Sequence, residues 1–314
     1  MYRHGLKSYR DLPIRMAEFG KVHRYEPSGS LHGLLRVRHF TQDDAHIYCT
    51  LAQMQQECVR VIELVLAIYK DFGFDDVHIK LSTRPDNRIG SDETWDILES
   101  ALVTSLQNLS LPYNINHGEG AFYGPKLEFT LRDSIGRDWQ CGTLQVDMNL
   151  PGRFDLSYVD EQGQKQVPVM LHRALFGSLE RFTGILIEHY AGKLPAWLSP
   201  MQVAVLAISE KSSEYANKIY KAFRRAGLRV EIDSSREKIG HKIRQHTLSK
   251  TPFMAVVGAK EAETGKVNLR HISGESLGEF ALSDAIAYLT KATTAPDRLA
   301  LLAEDSNQTE EQLV

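Results

Sequence analysis

Hydrophobic and polar residues alternate along four segments in the first half of the chain. The segments are RMAEFGKVHRYE, RVRHFTQDDAHIY, YGPKLEFTL and DWQCGTLQVDM, within residues 15–148. Alternation predicts β-strands, because successive side chains of a strand point to opposite faces of its sheet. Each segment also keeps polar residues on one face. This pattern is typical of an antiparallel sheet with one solvated or ligand-facing surface.

Three segments before residue 193 have apolar residues at helical spacing, which predicts three helices. Their sequences are ECVRVIELVLAIYKDFGF, SDETWDILESALVTSLQNLSL and HRALFGSLERFTGILIEHYAG, the last at residues 172–192. Gly73 is expected to end the first helix, and Ser91 is expected to cap the second. The third helix is predicted to pack beneath the sheet.

The pattern changes after KLPAWLSP at residues 193–200, where two prolines predict a hinge. Beyond it, apolar strands such as MQVAVLAI and FMAVVG alternate with helical segments, which predicts a parallel or mostly parallel sheet. We therefore expect an α+β domain with an antiparallel sheet over residues 1–195 and a small α/β domain over residues 200–293. The polar, acidic end, residues 296–314, is predicted to be a disordered tail.

Composition narrows the class of protein. The 314 residues are 42% hydrophobic and 25% charged, which is typical of a globular protein with enough chain for two cores. A formal net charge of -3 argues against bulk coating of nucleic acid but is compatible with a local basic patch. The three cysteines have no regular spacing, which predicts a reducing compartment without a disulfide framework. No stretch is apolar enough for a membrane span.

The segment RVRHFTQDDAHIY has an unusual set of side chains on one predicted strand face. These are Arg36, Arg38, Phe40, Gln42, Asp44 and His46. Arg24 and Glu26 lie on one face of the preceding strand, and PSGSLHGLL between the strands predicts a mobile loop. Arginine forks match phosphate oxygens, and a phenylalanine ring offers a flat surface to a base, so the hairpin predicts a nucleoside triphosphate site. A solvated strand face of mixed charge is the alternative interpretation.

Other segments add polar groups that a pure core would not need. GSLERF carries Ser178 and Arg181 one helical turn apart, and Gly177 and Gly184 indicate close approach by another segment. The strands AFYGPKLEF and QCGTLQVD carry Tyr123, Lys126, Gln140, Thr143 and Gln145.

Taken together, these motifs resemble the class II aminoacyl-tRNA synthetases. RYEPSGSLHGLLRVRHFTQDDAHIY is similar to their second signature motif, and GSLERF is similar to their third. TQDDAHI, EGAFYGPK, QCGTLQVD and VPVMLHRA resemble the bacterial threonyl-tRNA synthetase family, over residues 5–293. The resemblance implies a ligase that activates L-threonine with ATP and transfers it to tRNA(Thr). It also implies a cytoplasmic enzyme, a homodimer in the full-length family member, and no membrane partner.

The resemblance further implies a role for individual residues. Arg24 and Arg181 would be catalytic, and His46 and His172 would bind a Zn²⁺ ion that takes the amino and hydroxyl groups of threonine. ATP, with Mg²⁺, would be bound by Arg24, Glu26, Arg36, Phe40, Lys126, Gln140, Thr143, Ser178 and Arg181. The threonine-binding residues would be Gln42, Asp44, Tyr123 and Gln145. The tRNA anticodon would be contacted by Lys238, Glu261 and Arg270.

The sequence departs from the family pattern at the metal site. The third zinc ligand of the family is a cysteine in an Asn-Cys-Pro-Gly-His segment, which would precede Gly5, and Cys49, Cys58 and Cys141 do not occupy that place. The first signature motif and the editing domain are not found either. We therefore expect either a fragment of a longer protein or a truncated relative that acts as a tRNA-binding module. A different class II synthetase is disfavoured, because the paired histidines have no role in most of them.

Overall fold

The computed structural model describes residues 2–301. The chain divides into two compact units, of which the first ends at Glu188 and the second begins at His189. The predicted tail lies outside the described residues from residue 302 onward, and residues 296–301 are helical. Among the described residues, no helix combines the length and the apolar character needed to cross a membrane.

The first unit is built on a seven-stranded sheet, as the alternating segments predict. The strands of this unit are β1 (Ile14–His23), β2 (His39–Cys49), β3 (His78–Ser82), β4 (Asn114–Asn116), β5 (Lys126–Arg132), β6 (Asp138–Asp147), β7 (Tyr158–Val159), β8 (Lys165–Gln166) and β9 (Val169–Ser178). The large sheet has the order β1-β2-β9-β6-β5-β3-β4, and β7 pairs with β8 separately. All neighbours in the large sheet are antiparallel except β3 and β4.

The helices of the first unit leave one face of the sheet open. They are α1 (Leu51–Asp71), α2 (Asp92–Asn108), α3 (Leu150–Arg153) and α4 (Leu179–His189). Helix α1 contacts β2, β6 and β9 and packs against α2. Ser91 caps α2, as predicted, by accepting a hydrogen bond from the Thr94 N–H at 3.3 Å. Thr50 and Gln53 form a capping box that starts α1 six residues earlier than predicted.

The predicted helix over residues 172–192 is wrong in its first part. Residues 172–178 belong to strand β9, which lies in the middle of the sheet between β2 and β6, and the helix begins only at Leu179. The sequence misleads because Leu171 and the pair Ala174 and Leu175 are all buried, so β9 lacks a clean alternation. A short run of this kind cannot be distinguished from a buried helix by its periodicity.

The second unit is the predicted α/β domain. Its strands are β10 (Val203–Ala207), β11 (Val230–Asp233), β12 (Phe253–Val257), β13 (Lys266–His271) and β14 (Ser276–Ala281), and its helices are α5 (Ser213–Arg225), α6 (Ile239–Leu248), α7 (Ala259–Thr264) and α8 (Leu282–Ala292). The order is β11-β10-β12-β13-β14. The first three strands are parallel, and β13 and β14 add an antiparallel hairpin that the sequence did not predict. The sheet is buried on both faces, with Phe223 packed on one and Met254 on the other.

Candidate functional site

The open face of the large sheet collects the polar side chains of three neighbouring strands. Residues directly opposite each other on paired strands point to the same face. His172 of β9 lies opposite His46 of β2 on one side and opposite Gln145 of β6 on the other. In the same way, Ala174 of β9 lies opposite Asp44 of β2 and Thr143 of β6. The structure therefore brings together residues from three segments that are far apart in the sequence.

A cleft with about 670 Å³ of empty space, including its open mouth, lies at one end of this face. It is lined by Arg24, Glu26, Leu35, Arg36, Val37, Phe40, Gln42, Gln140, Cys141, Thr143, Ala174, Gly177, Ser178 and Arg181. Every residue predicted to bind ATP lines this cleft, with the exception of Lys126. Gln42, which was predicted to bind threonine, lines it as well.

Three cations share the cleft with a largely buried aromatic ring. Phe40 is only 8% exposed, and the guanidinium carbon of Arg24 lies 5.3 Å from the centre of its ring. Arg181 donates from Nε to the Leu35 carbonyl at 2.8 Å. Burial lowers the pKa of Arg181, and the neighbouring cations Arg36 and Arg24 lower it further. A ligand that carries both negative charge and a flat ring would relieve this repulsion and cover Phe40.

Two residues predicted to bind different parts of the nucleotide are bonded to each other. Arg36 and Glu26 form an ion pair at 3.0 Å, and the Ser30 hydroxyl lies 3.3 Å from the same carboxylate. Arg38 donates to the Glu26 carbonyl at 2.9 Å. These contacts hold the loop between β1 and β2 against the cleft, so a nucleotide would have to compete with Glu26 for Arg36.

Lys126 lies elsewhere on the open face. It forms an ion pair with Glu128 at 2.5 Å and sits opposite Gln145 on the neighbouring strand. Its position is therefore next to the predicted threonine-binding residues rather than within the cleft.

The two predicted metal ligands converge at the other end of the face. The rings of His46 and His172 have centres 4.9 Å apart and meet edge to face at 75°. Tyr123 lies 5.2 Å from the His172 ring, and its hydroxyl donates to Gln145 Oε1. Burial lowers the pKa of His46, and the neighbouring His172 lowers it further. This environment favours neutral imidazole, the form that binds metal ions.

A buried carboxylate orients one of these imidazoles. Nε2 of His172 lies 3.1 Å from Asp147 Oδ2, and the Asp147 side chain is fully buried. The carboxylate also accepts hydrogen bonds from the backbone N–H groups of Asn149 and Leu150. A carboxylate behind a histidine is a common support for a metal-binding imidazole, because it fixes the tautomer and the ring orientation.

As metal ligands, the residues present form an incomplete set. Residues 2–301 contain no group of three or more histidine, cysteine or acidic side chains that could hold a metal ion. His46 and His172 fit a zinc ion as two of its ligands, and two protein ligands completed by water hold zinc more weakly than three or four do. Cys49, Cys58 and Cys141 are buried, and burial raises the pKa of Cys49 and Cys141 to about 12.

Two acidic residues that the sequence prediction did not include shape the cleft. Asp43 is 6% exposed, and its carboxylate accepts the backbone N–H groups of Leu175, Phe176 and Gly177 at 2.7, 3.0 and 2.9 Å. Glu180 accepts the Thr41 N–H at 3.0 Å. Together they fix the end of β9 and the start of α4 to β2. Asp43 lies at a position of β2 whose side chain faces the core. A carboxylate at such a position is the sequence signal that could have revealed the role of Asp43.

Close packing at two glycines confirms the prediction made for them. Gly177 has a φ of +70°, and a Cβ atom there would lie 2.3 Å from the Cys141 carbonyl oxygen. At Gly184 a Cβ would lie 3.1 Å from Leu35 Cδ2. The loop before β2 therefore packs directly on α4, and Ser178 begins that helix by accepting the Arg181 N–H at 3.1 Å.

The three residues predicted to contact the anticodon lie on separate elements of the second unit. Lys238 is the residue before α6, and Glu261 accepts the Gly258 N–H at 2.8 Å at the start of α7. Arg270 lies opposite Met254, on the face that α6 covers, so Lys238 and Arg270 share this side of the sheet. The buried Nε of Arg270 has no hydrogen-bond partner within the described part of the chain.

Comparisons with known proteins assign both units to a class. Residues 1–190 match the family described as "tRNA synthetase class II core domain (G, H, P, S and T)", and residues 202–292 match "Anticodon binding domain". The chain belongs to the class II tRNA synthetase family.

Within that class, the relatives are threonine–tRNA ligases. The chain is 54% identical over 304 residues to the threonine–tRNA ligase of Rhodopseudomonas palustris and 59% identical over 289 residues to that of Alkalilimnicola ehrlichii. These matches cover 95% and 92% of this chain but 46% and 45% of the relatives, so the chain spans less than half of their length. A solved structure described as the RNA binding domain of threonyl-tRNA synthetase from Cryptosporidium parvum Iowa II superposes with a TM-score of 0.88 at 42% identity. It covers 94% of this chain and 74% of that one.

Proposed function

We propose that the chain contains the catalytic core and the anticodon-binding part of a threonine–tRNA ligase. Such an enzyme activates L-threonine with ATP to threonyl-adenylate and transfers the threonyl group to tRNA(Thr). The observation that carries the proposal is the single sheet face on which a cationic, aromatic cleft adjoins two converging imidazoles. The names of the relatives agree with this assignment.

The cleft has the parts that adenylate formation needs. The threonine carboxylate attacks the α-phosphorus of ATP, and pyrophosphate leaves on the opposite side. Arg24 would contact the carboxylate and the α-phosphate, and Arg181 would lie near the γ-phosphate, with Mg²⁺ sharing the charge of the leaving group. The Phe40 ring would stack on adenine. Arg36 would reach the phosphates once Glu26 turns to the adenine. The ribose and phosphates would be supported by Gln140, Thr143 and Ser178.

The other end of the face would select the amino acid. His46 and His172 would hold a zinc ion as its two ligands from this chain, and a bound zinc ion would take the amino and hydroxyl groups of threonine. The wall of this pocket would be formed by Gln42, Asp44, Tyr123, Lys126 and Gln145. Valine is nearly isosteric with threonine, so a pocket must bind the hydroxyl group in order to exclude valine.

The second unit would bind the tRNA. Lys238, Glu261 and Arg270 would contact anticodon bases, which are exposed in a single-stranded loop and can be recognised on their edges. We also propose a homodimeric full-length enzyme that acts in the cytoplasm, by extension from the family.

Threonine-dependent exchange of labelled pyrophosphate into ATP tests the proposal. With zinc and magnesium supplied, we expect the purified chain to catalyse exchange that requires threonine, that valine does not support, and that a zinc chelator reduces. His172→Ala is expected to abolish it, whereas His78→Ala, a half-exposed histidine of the same sheet, should leave it unchanged. If no exchange occurs but the chain binds tRNA in an anticodon-dependent manner, the tRNA-binding module is the correct interpretation.

A further inference from the structure

Arg181 has a support that lies outside the cleft. Its guanidinium carbon lies 5.4 Å from the centre of the Trp139 ring, and Arg181 lines the cleft whereas Trp139 does not. The edge of the guanidinium is fixed by two carbonyl oxygens, with Nε bonded to Leu35 at 2.8 Å and one terminal nitrogen bonded to Gln140 at 2.9 Å. The ring therefore contacts the guanidinium from outside the cleft.

The Trp139 ring is itself held in place by a buried carboxylate. Its Nε1 donates to Asp133 Oδ2 at 2.9 Å, and the Asp133 side chain is fully buried. The same carboxylate accepts the backbone N–H groups of Ile135 and Arg137 and the Arg137 side chain. These donors lower the pKa of Asp133 to about 2, although burial opposes them. Asp133 is thus a fixed anchor for one edge of the indole.

A second group of contacts ties the same indole to the loop between β1 and β2. The guanidinium of Arg137 lies 5.5 Å from the Trp139 ring centre. The His32 ring is nearly parallel to the Trp139 ring, and the two ring centres are 6.2 Å apart. Arg137 is also 3.1 Å from His32 Nε2. Because Leu35 in that loop accepts the Arg181 bond, the loop, the indole and the arginine form one connected group.

The electrostatics of the cleft explain why Arg181 needs such a support. Its neighbours include the cations Arg24 and Arg36, and its guanidinium donates to the neutral carbonyl oxygens of Leu35 and Gln140. An aromatic face attracts a guanidinium through the ring quadrupole without neutralising it. The charge therefore stays available for phosphate, while the plane of the guanidinium is held in a fixed orientation.

We propose that Trp139 is a positioning residue for ATP. Its indole, anchored on Asp133, holds the Arg181 guanidinium in the orientation in which the guanidinium stacks on adenine and reaches the phosphates. The inference rests on the proposed function for the identity of the nucleotide. It predicts that Trp139 contributes to ATP binding through Arg181 and contributes nothing to threonine binding.

Two variants of Trp139 test the proposal, measured both by equilibrium dialysis of ATP and by pyrophosphate exchange. Trp139→Leu removes the aromatic face and is expected to weaken ATP binding about threefold to thirtyfold, the range of a partly desolvated cation–π contact. Trp139→Phe keeps a face but loses the Asp133 bond, and a smaller loss is expected. The KM for threonine should stay within about twofold in both variants, since Trp139 is remote from the imidazole pair.

A double-mutant cycle distinguishes positioning from a general structural role. If Trp139 acts through Arg181, Trp139→Leu should add almost nothing to the loss of ATP affinity caused by Arg181→Ala, which removes the cation. Fully additive effects, ATP affinity unchanged in Trp139→Leu, or an equal loss of threonine affinity would each overturn the proposal. Dialysis needs no catalysis, so a chain that binds ATP with this dependence but shows no exchange would refute the proposed activity and leave the role of Trp139 intact.

A measurement on the unmodified chain covers the case in which Trp139→Leu does not fold. ATP is expected to change the tryptophan fluorescence, and Trp139→Phe is expected to remove that change. Trp95 is fully buried in the core of the first unit, and Trp197 lies in the second unit. A fluorescence change of the same size in Trp139→Phe would contradict the proposed contact.

Discussion

Replacing Arg24 by alanine is expected to reduce the threonine-dependent exchange rate by about 10²- to 10³-fold, the usual effect of removing one preorganised group that stabilises transition-state charge. Arg24 lines the cleft and lies over the Phe40 ring, so it is placed to meet the phosphate nearest the adenine end. The loss should be mainly in kcat, because the negative charge on the α-phosphate oxygens increases as the carboxylate attacks.

Two further variants separate charge from geometry at this position. Arg24→Lys retains the charge but lacks the planar fork, so its activity should lie between those of the unmodified chain and Arg24→Ala. Lys21→Ala, on β1 three positions before Arg24, is the matched control, because Lys21 is exposed and pairs with Thr41 on the opposite face of the hairpin. Exchange by Arg24→Ala within about threefold of the unmodified rate would show that Arg24 does not act on the reacting phosphate.

Replacing Asp43 by alanine is expected to lower the free energy of unfolding of the first unit by about 3–5 kcal/mol. The substitution leaves three backbone N–H groups of β9 without their buried acceptor, and each such loss costs about 1–3 kcal/mol. Urea unfolding followed by tryptophan fluorescence in a Trp197→Phe background would report on this unit, because Trp95 and Trp139 both lie within it.

Two further variants are compared with Asp43→Ala, one that removes only the charge of Asp43 and one that removes an exposed carboxylate. Asp43→Asn keeps an acceptor oxygen and should cost less than Asp43→Ala. Asp138→Ala removes an exposed carboxylate that pairs with Arg132 at 3.0 Å, and surface pairs of this kind contribute at most about 1 kcal/mol. An Asp43→Ala variant as stable as Asp138→Ala would mean that the three N–H groups find other partners.

The strands with one open face could be predicted from the sequence, and the central strand could not. Strand β2 alternates because Ala45 and Ile47 face α1 while the residues between them face the ligand side. Strand β9 lies between β2 and β6, and its apolar residues point to both faces, so its pattern resembled a helix. The hairpin of β13 and β14 was not predicted either, although Ser273 and Gly274 between the two strands are the turn signal that could have revealed it.

A similar division applies to the candidate site. Residues with polar side chains on the open face could be predicted individually, and most of those assigned to ATP do line one cleft. The supporting residues could not be predicted, because their roles arise from contacts between segments that are distant in the sequence. Asp43 accepts hydrogen bonds from residues 132–134 positions away, and Trp139 contacts an arginine 42 positions away. Lys126 was assigned to ATP but lies beside Gln145, since register across β5 and β6 is set by a bulge that the sequence does not reveal.

We propose that one sheet face binds adenylate at one end and a hydroxyl-bearing amino acid at the other. Competitive titration of non-hydrolysable threonyl-adenylate and valyl-adenylate analogues, with zinc present, tests it most directly. Because the two analogues differ only in a hydroxyl and a methyl group, a pocket that binds the hydroxyl should favour the threonyl analogue by roughly 10³-fold or more. Affinities within about tenfold of each other would contradict the assignment of His46, His172 and their neighbours to threonine.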